Sequence, residues 1–91
     1  MGNNFREILA DINPDAVVLE PEYMDNAIVG IAISDTPVLV YDTDKIVDLL
    51  MLHEGFSLHD AVEWNDYNIL GLRGDNFPIH IKTDWIWELY V

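Results

Sequence analysis

Residues 37–51 read PVLVYDTDKIVDLLM, and the fold turns on how that stretch divides. Pro37 to Tyr41 are mostly apolar and β-branched, a composition that suits a pleated, half-buried strand. Asp42 or Thr43 then offers an oxygen to cap a helix, and Asp44 places negative charge in its first turn. Ile46, Val47, Leu49, Leu50 and Met51 crowd most of a helical circumference. Gly55 ends it, because glycine takes the left-handed closing conformation without steric cost.

Upstream, AIVGIAIS at residues 27–34 is a nearly unbroken apolar run, too short and too β-branched for a convincing helix. With Asp35-Thr36 as turn residues it pairs with Pro37–Tyr41 as a buried hairpin. Ala16 to Leu19 is apolar but brief and is closely followed by Pro21, which marks it as an edge strand. At the amino end Asn3 or Asn4 caps a helix over Asn4–Asp11, where Phe5, Ile8 and Leu9 recur at helical spacing until Asn13-Pro14 stops it.

Downstream, Phe56-Ser57-Leu58-His59-Asp60 supplies an apolar residue, a serine cap and an acid three residues later, an aspartate variant of the capping box. In the helix that follows, Leu58, Ala61, Val62 and Ile69 share one face of a 3.6-residue wheel, with Asn65 turned into it. An unpaired amide there would cost ~1–3 kcal/mol, so Asn65 needs a partner. Trp64 and Asn68 flank that face, within reach of the adjacent sheet. Gly71, Gly74 and Asp75-Asn76 mark a loop, Pro78–Lys82 alternates as a half-buried strand, and Trp85–Val91 reads as a further strand. The expected fold is a single α+β domain over residues 1–91: a small antiparallel sheet packed against two to three helices.

A chain of this length hides somewhat under ~70% of its unfolded surface, enough for one modest core. It has no cysteine, so neither disulfides nor thiolate metal sites can staple the fold. The amino end lacks the basic-then-apolar layout of a signal peptide, and no apolar run approaches the ~20 residues a membrane span needs. The expected compartment is the cytoplasm.

The usual ingredients of catalysis are scarce. There is no phosphate-binding glycine loop and no nucleophile elbow; Ser34 and Ser57 are accounted for by a turn and a cap. His53, Glu54, His59 and Glu63 could form a zinc set if the turn between helices gathered them, but their spacing matches no ligand pattern of known geometry. Asp42 and Asp44 could be a magnesium pair, yet a helix start explains both acids. No enzyme activity, metal or cofactor is expected.

Charge is the most unusual feature: 17 acidic residues stand against 4 basic ones, for a formal net charge of -13. Such a chain repels nucleic acid and anionic lipid and is steered toward a basic protein surface. The acids are interleaved with hydrophobic runs, so they coat a folded body and do not form a disordered tail. Asp60, Glu63 and Asp66 make a stripe on the outer side of the second long helix, with Tyr67 among them, and Asp42, Asp44, Asp48 and Glu54 add to the field. Trp85, Trp87 and Tyr90 form a second candidate surface, of residue types enriched at interface hot spots.

Residues 37–51, then GFSLHDAVEWNDYNILG at 55–71 and FPIHI at 77–81, resemble a set of small acidic proteins encoded by bacteriophages and prophages. The matching elements are Tyr41-Asp42 and Asp44-Lys45 entering the first long helix, Ala61 with Glu63-Trp64 and Tyr67-Asn68 in the second, and Gly71 and Pro78 beyond it. The Leu72–Phe77 loop departs from the glycine-rich form of the pattern, and the amino-terminal third and the Trp-rich tail have no counterpart. The resemblance implies context: accessory proteins of this kind often disarm host defences, including CRISPR effectors, and acidic ones occupy nucleic-acid channels as DNA mimics. The expected function is thus a phage-type, anti-CRISPR-like inhibitor that binds a basic, nucleic-acid-binding surface of a host defence complex, with acids as phosphate surrogates. The alternative is a regulatory or assembly module that binds through Trp85, Trp87 and Tyr90, as a homodimer extending its sheet through a terminal edge strand.

Overall fold

Asp42 is the hinge between sheet and helix. In the computed structural model, which describes the backbone of residues 3–82 and the side chains of residues 5–82, it ends strand β2 (Val38–Asp42) and caps helix α2 (Thr43–Glu54). Its Oδ1 accepts from the amides of Asp44 at 3.0 Å and Lys45 at 3.3 Å, satisfying two of the donors a helix start leaves open. Gly55 closes α2 with φ of 72°, the conformation for which glycine was expected there.

The hairpin forms, but not as the buried pair expected: of its first strand only Ile28 is buried, and Val29 and the following Ile33 are exposed. Strand β1 (Ile28–Ala32) pairs antiparallel with β2, with a register irregularity between Ile28 and Gly30. Helix α1 covers Asn3–Ile12, and its stop signal also acts as a clasp. Asn13 Nδ2 donates to the Pro37 carbonyl at 2.7 Å and to Asn76 Oδ1 at 3.1 Å, tying the end of α1 to the hairpin and to the loop before the last strand.

That last strand, β3 (Ile79–Ile81), lies on the far side of β2 and runs parallel to it. The α+β class stands, but the sheet is mixed and not wholly antiparallel. The reason is the connection: two helices and a loop separate β2 from β3, and a crossover of that length returns the chain in the same direction. His80 stands beside Tyr41 in the register, so the strand turns its histidine toward the core, and Ile79 and Ile81 are partly exposed.

Ala16–Leu19 is not a strand. Its backbone donors go elsewhere: the Val17 amide to the Asn76 carbonyl at 2.8 Å, and the Leu19 amide to the Tyr41 hydroxyl at 3.0 Å. The segment is anchored by a loop and a phenol, not by a ladder. It leads through a cis Glu20-Pro21 peptide into a 3₁₀ turn, Glu22–Ala27, that delivers Met24 and Ala27 to the core.

Helix α3 (Leu58–Asn65) starts as the serine cap requires, with Ser57 Oγ accepting from the Asp60 amide at 3.1 Å. It continues as a π turn over Asp66–Leu70, which the sequence reading did not foresee. The packed face also differs from the wheel: Ala61, Asn65 and Ile69 are buried, whereas Leu58 and Val62 are exposed. Because α3 packs against α2, the face that matters is centred on residue 65. Asn65, 3% exposed, donates to Thr43 Oγ1 at 2.8 Å, so its partner comes from α2. Asn68 donates to the Trp64 carbonyl within its own helix, not to the sheet.

One core joins these parts. Leu9, Met24, Leu39, Tyr41, Ile46 and Leu50 are its largest fully buried side chains, each contributing roughly 1.5–3 kcal/mol of burial. The expected strand at Trp85–Val91 lies outside the described residues.

Candidate functional site

The expected acidic surface divides into two groups once the side chains are placed. Four of its members have structural ties. Asp42 caps α2, Asp44 Oδ1 accepts from Lys82 Nζ at 2.8 Å, Glu54 accepts from the Tyr23 hydroxyl at 2.6 Å, and Glu63 lies 3.2 Å from His59 Nε2 one helical turn back. Burial and the Glu54 carboxylate together push the Tyr23 phenol up to about 12. The other three, Asp48, Asp60 and Asp66, are exposed and have no side-chain partner among the described residues.

Asp60, Glu63 and Asp66 follow at three-residue intervals along α3 and its π turn, and all are exposed. Neighbours three apart on a helix share a side, so these acids present one outward stripe. Tyr67 stands beside them, 84% exposed. Trp85, Trp87 and Tyr90, the second expected surface, lie outside the described residues.

The four side chains considered for zinc are not gathered. His53 stacks on the Tyr23 ring, with centroids 4.2 Å apart and planes within 9°, and Glu54 is held by the hydroxyl of that same tyrosine. His59 and Glu63 do meet, together with Asp60, with ligand atoms within 4.8 Å of one another. All three are exposed on a single turn, an arrangement that a solvent-facing helix of this composition produces by spacing alone. Asp42 and Asp44 serve the helix cap and Lys82, as a helix start predicts.

Sequence reasoning missed one charged centre. Arg6 on α1 reaches across to the 3₁₀ turn, its Nη1 lying 3.0 Å from Asp25 Oδ2, and its Nη2 is 4.0 Å from Glu20. Asp25 is almost fully buried. Asp25 and Glu20 raise the Arg6 pKa against the lowering effect of burial, so the guanidinium is firmly charged. The available signal was scarcity: with four basic residues in the chain, an arginine next to Phe5 on an amphipathic helix deserved a named partner.

Fold and charge define a small, strongly acidic α+β domain, and among the described residues no helix is long and apolar enough to cross a membrane. No known protein family, curated protein or solved structure matches the chain.

Proposed function

We propose that this chain is a non-catalytic binding module, a phage-type inhibitor whose acidic surface docks on a basic, nucleic-acid-binding surface of a host defence complex. The observation that carries the reading is the shortage of internal neutralisation. Asp48, Asp60 and Asp66 have no side-chain partner among the described residues, and the net charge of -13 leaves their field uncompensated. Carboxylates fixed along a helix can occupy the positions of phosphates facing a groove of lysines and arginines, and the long-range field speeds the encounter. The host cytoplasm is the compartment this reading requires.

Affinity capture from a host lysate tests it, comparing the wild type with a variant carrying Asp60→Asn, Glu63→Gln and Asp66→Asn. The expected result is that the wild type retains nucleic-acid-binding proteins, that added DNA or raised salt releases them, and that the variant retains far less. Equal recovery by the two proteins, or retention insensitive to both salt and DNA, would remove the acidic stripe from the function.

A further inference from the structure

We propose that the cavity at the start of β3 binds a small apolar carboxylic acid, its carboxylate on Arg73 and its hydrocarbon body against the surrounding walls. The cavity measures about 470 Å³, within the ~300–1,000 Å³ typical of ligand pockets. Its walls are Leu70 at the end of the π turn, Leu72 and Phe77 from the loop, and Pro78 and Ile79 leading into β3, with Arg73 among them. The site is separate from the α3 acids and does not depend on what they bind.

Three observations select that ligand. First, Arg73 is the one charge in the wall. Among the described residues no acid lines the cavity, in a chain that has 17 of them. Burial holds His80, the other titratable group there, below its ordinary 6.5, so its ring is neutral at pH 7. Second, Arg73 is uncommitted. Arg6 is held by Asp25 and Lys82 by Asp44, whereas the exposed Arg73 has no ion-pair or side-chain hydrogen-bond partner among the described residues, Asp75 of the same loop included. Third, the loop that presents Arg73 is fastened on both sides. The Leu72 amide donates to the Ile69 carbonyl at 3.1 Å and the Phe77 amide to the Gly74 carbonyl at 3.2 Å, and Asn76 is tied to Asn13 and to the Val17 amide. The backbone around the arginine is set before a ligand arrives, so little ordering opposes binding.

Charge then decides among the anions. One guanidinium offers two parallel N–H donors that match the two oxygens of a carboxylate. A phosphate dianion would bring twice the charge against the repulsion of a net -13, with that one cation to hold it. The apolar walls supply the rest of the attraction: Leu72 and Ile79 are 43% and 45% exposed, surface that a hydrocarbon body removes from water. The Nδ1 of His80 is closed to solvent, so the ring adds to the wall and Arg73 takes the head group.

Titration of the ¹⁵N-labelled chain at constant ionic strength tests the proposal, with four probes: 4-phenylbutyrate, octanoate, the neutral 4-phenylbutyramide, and inorganic phosphate. The expected result is saturable movement of the Leu72, Arg73, Gly74 and Ile79 amides with phenylbutyrate or octanoate, and binding about tenfold weaker with the neutral amide, the loss of one charge-assisted contact. Arg73→Gln, at an exposed position, should bring the acid level with the amide, and Lys45→Gln, which changes a cation outside the cavity, should leave acid binding unchanged. If Arg73→Gln loses the dispersed spectrum of the folded chain, the comparison of acid with amide on the wild type decides alone. An equal response to acid and amide, a response to phosphate alone, or no saturable shift at these amides would overturn the proposal.

Discussion

Replacing Tyr41 by phenylalanine isolates a single hydrogen bond at the centre of the molecule. The Tyr41 ring is completely buried, stacked 6.0 Å from His80, and its hydroxyl accepts from the Leu19 amide at 3.0 Å. Tyr41→Phe keeps the ring and its contacts, so the loss is confined to the acceptor. The Leu19 amide then has no partner in a dry environment, at a cost of ~1–3 kcal/mol. A domain of this size shifts its melting temperature by ~4–8 °C per kcal/mol, so the expected drop is roughly 5–20 °C. Thermal and urea unfolding followed by circular dichroism measures it, with the urea m-value unchanged because the surface exposed on unfolding is the same. Hydrogen exchange at the Leu19 amide should accelerate beyond the global change. Burial raises the Tyr41 phenol above its ordinary 10 against the lowering effect of the Leu19 bond. Its stabilisation is therefore present below pH 10 and is lost as pH rises through the folded value; the phenylalanine variant lacks that contribution. A melting temperature indistinguishable from wild type, with Leu19 exchange unaltered, would refute the claim that this phenol anchors the Ala16–Leu19 segment.

Gly55→Ala tests the closing turn of α2. No atom lies within 4 Å of the added Cβ, so the cost is backbone conformation alone at φ of 72°, about 1 kcal/mol by chemical denaturation. His80 supplies a pH dependence, since burial lowers its pKa below the ordinary 6.5. The unfolded chain then binds the proton more readily, so stability is full above pH 6.5 and falls as pH drops through the folded value; His80→Phe should flatten that slope in urea titrations across this range.

Much of the local structure was legible because it depends on nearest neighbours. The cap at Asp42, one of the two candidates the sequence offered, the glycine at 55, the serine at 57 and the hairpin around Asp35-Thr36 all stand where local chemistry puts them, since capping and turn chemistry act over three or four residues. Asn65 was marked as a buried amide in need of a partner, and it is one. The wheel failed at Leu58 and Val62 because the packing direction of α3 is fixed by α2, not by its own apolar count. The Ala16–Leu19 strand failed for a related reason: extended propensity forms a ladder only where a sheet edge is available, and here a loop carbonyl and a phenol take the donors.

The outward stripe Asp60, Glu63 and Asp66 could be read from spacing, but which acids stay free could not. Lys82, 38 residues from Asp44, and Tyr23, 31 residues from Glu54, had to be brought across the molecule before those carboxylates were taken out of the reckoning. By itself the sequence determined the class of fold, the capped starts of its two central helices and the sign and size of its field, because propensity, capping and total charge are properties of short segments or of sums. Tertiary structure alone decided the parallel seat of β3, the Arg6–Asp25 pair and the cavity beside Arg73. Each of these depends on where distant segments meet in space, which no local pattern encodes.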